Sequence, residues 1–197
     1  MTERTAPAGD TPRRIEIASV DALWTWLESN HRQSESVWLV TFKKHTGTRY
    51  VSTGAVLDAL IAYGWVDGRR MKLDADRTMQ LISPRRTQTW AQSYKDRAAR
   101  LIDAKRMHAE GLAAIARSKQ LGLWDDMADV DALMVPDDLA SALAQLPAAE
   151  RFFLETAPSY RRNVLRWIKI AKRTETRSRR IAQVVETSRR AERIPQM

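Results

Sequence analysis

The hydrophobic period of this chain changes once, near Trp90, and that change sets its fold class. Before it, short β-branched and aromatic runs alternate with helical stretches. After it, every apolar series follows the 3.6-residue repeat. A chain divided in this way reads as α+β, a small mixed α/β layer followed by an all-α helical bundle. Three ranges follow: a disordered leader over 1–13, an α+β domain over 14–105, and a helical domain over 106–197 that ends in basic helices.

The leader carries Pro7, Gly9 and Pro12 and almost nothing to bury. Ile15–Ile17 reads as a short strand. Ser19 then caps a helix to about Glu28 with Val20, Leu23, Trp24 and Leu27 on its apolar face; Trp26 lies off that face. Val37–Phe42 is a strand by its β-branched and aromatic content. Ser52 or Thr53 caps a second helix that stops at Gly64. Trp65–Leu73 and Thr78–Ile82 read as paired strands. Asp67-Gly68 forms a tight turn or a bulge, and Leu73–Arg77 the longer connection.

Helices are expected over about 90–105 and 109–120, stopped by Gly122. A solvated loop follows with Asp125, Asp126, Asp129 and Asp131. Further helices open at Pro136, Ala148, Pro158 and Thr174, and the end frays at Pro195.

With 197 residues the chain can bury about 70% of its surface without disulfide or metal staples. It has no cysteine, which removes thiol nucleophiles, disulfides, cysteine-ligated zinc and iron–sulfur clusters. His31, His45 and His108 fall in separate elements without metal-ligand spacing and read as surface or packing residues. The acidic loop lacks the ligand pattern of a calcium site. No phosphate-binding glycine loop or Gly-x-Ser-x-Gly elbow occurs. The expectation is a non-enzymatic protein with no catalytic residue, metal or cofactor. The opening residues lack a signal-peptide core and no apolar run spans a bilayer, so the expected location is the cytoplasm, with no transmembrane segment.

The formal charge is +9, from 33 Lys/Arg and 24 Asp/Glu, and residues 159–197 hold twelve of the former against three of the latter. On a helical wheel over 161–173, Val164, Trp167, Ile168 and Ala171 share one arc. Arg162, Arg166, Lys169 and Arg173 line the opposite one. In the last helix Ile181, Val184, Val185 and Ser188 form the inner face, with Arg179 and Arg190 outward. A cationic ridge of this kind fits an anionic partner: an acidic protein face, a nucleic acid or another acidic surface. Neutralising six phosphates would cost roughly a thousandfold in affinity between 50 and 200 mM salt. A second candidate site lies around Trp65, Asp67, Arg85, Arg86 and Trp90, where two arginines beside a strand end offer bidentate contacts to phosphate or carboxylate. The alternative for those arginines is pairing with Asp67 or Asp76, which would fix the sheet to the following helix.

Several of these motifs, in order, resemble the YdeI/OmpD-associated (bacteriocin-protection, OmdA-like) family. They are Val37–Gly47, Ala62–Gly68, Ser83–Arg86 with Trp90, and the closing series Pro158–Arg162, Arg166–Ile168, Ala171–Arg173 and Glu175–Ala182. The resemblance covers about residues 18–190. It departs at Ala91 and Tyr94, where serine and asparagine are expected. It implies a YjbR/CyaY-like N-terminal part, a helical C-terminal part and a role in resistance to bacteriocins and cationic antimicrobial peptides.

Three functions are therefore expected in order. The first is a stress-resistance protein that docks an anionic partner through the basic helices. Such a ridge repels cationic peptides, so protection would run through a different partner. The second is a DNA- or RNA-binding protein of YjbR-like type, and the third a small-molecule pocket around Trp65, Arg85 and Trp90.

Overall fold

A computed structural model describes residues 12–195. It resolves into two compact units that divide at Trp124/Asp125. The leader expected over 1–13 lies outside the described residues except for its last two, of which Arg13 accepts a hydrogen bond at its carbonyl from the Trp38 N–H (2.9 Å).

The first unit runs β1 (Arg14–Ile17), α1 (Val20–Asn30), β2 (Val37–Phe42), a 3₁₀ segment (Lys44–Arg49), α2 (Thr53–Ala62), β3 (Trp65–Lys72), β4 (Arg77–Pro84), α3 (Gln92–Asp103) and α4 (Ala109–Gln120). The sheet order is β1-β2-β4-β3, with β1 parallel to β2 and the other pairs antiparallel. Parallel pairing of β1 and β2 requires a crossover, and α1 supplies it. All six residues of β2 are buried, which explains why its sequence is a continuous apolar run rather than an alternation. Val37, Leu39, Ile82 and Trp65 join Leu23, Leu27, Val56 and Leu60 of α1 and α2 in one core.

Local chemistry starts and stops these elements as expected. The Ser19 and Ser52 hydroxyls accept from the N–H groups of Ala22 (3.1 Å) and Ala55 (3.2 Å). Gly64 follows α2 with φ +70, a conformation that glycine adopts without strain. Asp67-Gly68 is a bulge, since the β3–β4 register shifts between Asp67 and Arg70. The hairpin turns at Asp74, whose Oδ1 accepts from the N–H groups of Asp76 and Arg77. Trp26 packs edge-on to Trp65 at 5.6 Å, so it joins the core from beside the expected face.

The boundary expected at 105/106 moves to 124/125 because α4 docks on the end of α2. The His108 N–H donates to the Ala62 carbonyl (3.1 Å), and Gly111 lies so close that an added Cβ would sit 2.3 Å from that same oxygen.

The second unit comprises α5 (Ala128–Asp131), α6 (Asp137–Ala144), α7 (Pro147–Glu155), α8 (Pro158–Lys169) and α9 (Thr174–Arg189). The solvated acidic loop contains α5, anchored because Met127 and Val130 enter the second core. That core also takes Leu139, Leu143, Phe153, Val164, Ile168, Ile181 and Val184, the inner faces of α6 to α9. Among the described residues no helix is long and apolar enough to cross a membrane.

Candidate functional site

The five residues of the first-unit candidate site lie on β3 and in the segment between β4 and α3. Directly after β4, the Arg85 N–H donates to the Gly64 carbonyl (2.8 Å), and this turns the side chain inward. Arg85 is 2% exposed. Its guanidinium stacks on Trp90 with 4.1 Å to the ring centroid, lies 5.6 Å from Tyr94, and donates through Nη1 to the carbonyls of Gln88 and Thr89. Burial pushes its pKa down to about 10, against the pull of Tyr94 and Asp67. The group therefore remains a cation at neutral pH.

Asp67 is the anionic end of the same cluster. Its Oδ1 accepts from the Tyr94 hydroxyl and its Oδ2 from Gln80 Nε2 (2.9 Å). Gln80 Oε1 accepts from Arg70, which also donates to Thr53 at the start of α2. Trp65 and Trp90 are closed off; their indole N–H groups donate to the His31 carbonyl (3.1 Å) and the Ser118 hydroxyl (2.8 Å). This network ties β3 and β4 to α2 and α3; its anion is hydrogen-bonded through both oxygens, while its cation donates through Nη1 and leaves a buried Nε without a hydrogen-bond partner. Arg86 stands apart. It is exposed, its N–H donates to Gln88 Oε1 (2.7 Å), and its Nη2 donates to the Ser34 carbonyl (3.2 Å). The expected arginine pair is thus split between core and surface.

Tyr94 completes the cluster although the sequence marks it only as a departure from the family pattern. Another grouping has no sequence signal at all. His31, Tyr63 and His108, from the ends of α1 and α2 and the cap of α4, stack with ring centroids 4.6 to 5.6 Å apart. The Tyr63 hydroxyl donates to Glu28 (2.6 Å); burial and that carboxylate push its pKa up to about 12. His45 instead meets Asp76 at the surface (3.0 Å). Among the described residues no three His, Cys, Asp or Glu side chains gather as metal ligands.

On the basic helices the expected ridge is broken by carboxylates from within the same unit. Lys169 pairs with Asp129 (2.6 Å), and Arg162 donates to the Asp131 carbonyl (3.4 Å). Arg190 lies 3.7 Å from Glu186 and 3.4 Å from Glu192, and Arg177 grips Asp138 through two nitrogens. Lys169 and Arg177 hold the carboxyls of Asp129 and Asp138 below the usual carboxylate range, chiefly by these hydrogen bonds. Arg180 donates to the Trp167 carbonyl and covers its ring at 4.9 Å. Arg166 is half-buried, while Arg173 and Arg179 are exposed and meet no carboxylate among the described residues. Counted by structural unit, residues 125–197 hold thirteen Lys/Arg and eleven Asp/Glu, a net of +2. Residues 1–124 hold twenty and thirteen, a net of +7.

Comparison with known proteins follows the same division. Residues 15–114 match the family described as Domain of unknown function (DUF8412), and residues 132–191 match the family described as Bacteriocin-protection, YdeI or OmpD-Associated. No curated protein and no solved structure matches the chain. The bacteriocin-protection resemblance, expected over about 18–190, is thus carried by α6 to α9, and the sheet-bearing unit matches a different family. The DUF8412 match spans half of the sequence, and the chain accordingly belongs to that family, with a C-terminal helical segment similar to the bacteriocin-protection family.

Proposed function

We propose that this chain is a non-enzymatic interaction protein of the bacteriocin-protection type, acting in the cytoplasm by docking an acidic protein face through the cations that its own carboxylates leave uncovered. Support comes from the match over 132–191 coinciding with α6 to α9, where Arg173 and Arg179 stand exposed without a carboxylate and Arg166 lies on the ridge between Arg162 and Arg173. Lys169 and Arg190 contribute less, since each is engaged by carboxylates.

A protein face is favoured over single-stranded nucleic acid by the aromatic rings near these cations. Stacking of bases needs open rings. Trp167 is covered by Arg180, and Arg193 lies over Tyr160, itself buried. A closed Arg85–Trp90–Tyr94–Asp67 cluster supports a structural role for the first-unit residues over a small-molecule pocket. The mixed α+β order of the first unit is what supports a YjbR/CyaY-like fold there, and fold likeness carries no activity with it.

The test is capture of partners by the full-length chain, with and without nuclease, for wild type and for Arg166→Glu/Arg173→Glu. Loss of a nuclease-resistant partner in the variant, together with loss of protection against a bacteriocin, is the expected result. Unchanged capture refutes the docking reading, and capture abolished by nuclease replaces it with nucleic-acid binding.

A further inference from the structure

Arg86 overlooks a cavity of about 260 Å³ lined by Ser34, Ser36, Ser83, Pro84, Arg86 and Gln88. We propose that this cavity is a binding site for a phosphate-monoester group.

Its position follows from strand register. Val37 of β2 faces Ile82 of β4, and both point into the helix-covered core. One residue outward, the same register sets Ser36 beside Ser83 with both side chains on the opposite face. Neither hydroxyl has a hydrogen-bond partner among the described residues, so both are available as donors. Arg86 arches over them, held by its Nη2 bond to the Ser34 carbonyl, and its other guanidinium N–H groups are uncommitted. The Arg86 backbone N–H occupies Gln88 Oε1 (2.7 Å), which leaves the Gln88 amide hydrogens as the end offered to the cavity.

The wall therefore presents donors: two hydroxyls from the sheet, an amide from the loop and a guanidinium fork from above. Converging donors with one fixed cation select an oxyanion. Donors from three directions suit the three terminal oxygens of a phosphoryl group better than the two of a carboxylate. The volume exceeds that of a phosphoryl group several times over, which leaves space for the esterified end. Glu35 tunes the affinity. Its carboxyl is held below its usual range by the Ser34 hydroxyl, which donates to Oε1 (2.8 Å), with the Arg86 charge contributing. It therefore opposes a bound anion from the same loop.

The experiment titrates the full-length chain with glycerol 3-phosphate, inorganic phosphate and acetate, by calorimetry and by two-dimensional ¹⁵N spectra. Glycerol 3-phosphate is expected to saturate with shifts at Ser36, Ser83 and Gln88, more tightly than inorganic phosphate, and acetate not at all. Arg86→Gln should weaken binding at least about tenfold through loss of charge-assisted bonds. Ser36→Ala/Ser83→Ala should weaken it severalfold, and Glu35→Gln should tighten it. Should Arg86→Gln fail to fold, the serine variant carries the reading. No saturation by glycerol 3-phosphate, shifts confined to other residues, or an affinity unchanged in the serine variant overturns the site. Equal or tighter binding of inorganic phosphate or acetate overturns the ester assignment.

Discussion

Replacing Gly111 by alanine sets two sizeable effects against each other, and the structure decides the sign. Glycine inside a helix costs about 1 kcal/mol relative to alanine, so propensity alone makes Gly111→Ala stabilising. The position, however, is where α4 meets the end of α2. An added Cβ would lie 2.3 Å from the Ala62 oxygen, 2.5 Å from Met107 Sδ and 2.9 Å from the Ala62 carbonyl carbon. The methionine can swing aside. The Ala62 carbonyl cannot, since it belongs to backbone and also accepts the His108 N–H. Overpacking of this kind costs about 1–3 kcal/mol, and displacing α4 also strains that hydrogen bond, worth about 1 kcal/mol. The balance is a net loss of about 2 kcal/mol once the helix gain is subtracted. Gly54→Ala is the control. It sits in the first turn of α2 with its nearest neighbours, the Arg97 guanidinium nitrogens, at 3.6 and 3.7 Å, an ordinary contact. It should gain up to about 1 kcal/mol. Urea unfolding followed by tryptophan fluorescence reads the right unit, because six of the seven tryptophans lie before Asp125. With a urea dependence of about 1–3 kcal/mol per molar, the two midpoints should move apart by about 1 M or more, in opposite directions. A Gly111→Ala midpoint at or above wild type would refute the close packing of α4 on α2.

Removing the Ser118 hydroxyl by Ser118→Ala strands the indole N–H of a fully buried Trp90 and should cost about 1–3 kcal/mol in the same urea assay. Tyr63 carries a pKa raised to about 12, so its contribution to stability is complete below pH 10 and lost as pH rises towards 12. Absorbance titration at 295 nm should show its ionisation coinciding with alkaline unfolding, and Tyr63→Phe should remove that step. The lowered carboxyls of Asp129 and Asp138 imply the reverse dependence: their pairs stabilise above the ordinary carboxylate range and weaken as pH falls through the lowered values. At neutral pH, Asp129→Asn/Asp138→Asn uncovers Lys169 and Arg177. It should raise the salt needed to elute the protein from heparin while costing at most about 1 kcal/mol per half-exposed pair.

Much of the fold is legible in the residues because its signals are local. Ser19 and Ser52 announce helix starts, Gly64 a stop, and Val37–Phe42 a strand buried on both faces. What escaped is either too short to repeat its period or assembled from distant segments. Helix α5 has four residues, too few to display a repeat, and forms because Met127 and Val130 find a core. The unit boundary escaped for the second reason. Gly111 reads as an ordinary weak point in a helix until Ala62 is placed against it. The Arg85–Arg86 pair shows the same limit at a site. Adjacent, chemically identical residues point to core and to surface, a choice made by the Gly64 carbonyl and the Trp90 ring, neither of which is adjacent in sequence.

Charge obeys the same geometry, and there the separation has a number. Lys169 finds Asp129 forty residues upstream, and Arg177 finds Asp138 thirty-nine upstream. Counting from 159 to the C-terminus leaves out those partners by construction and returns +9; counting over the folded unit returns +2. A charge excess measured along the chain measures a surface only when the interval contains the segments that fold back on it. For the helical unit the relevant quantity is therefore not its thirteen cations but those, Arg173 and Arg179 among the exposed ones, that no carboxylate of its own pairs with. A polyanion should accordingly respond to substitution of those two more steeply than to substitution of Lys169, although a helical wheel ranks Lys169 with Arg173. Equal losses of heparin affinity from Lys169→Ala and Arg173→Ala would show that the ion pair with Asp129 does not mask charge in solution.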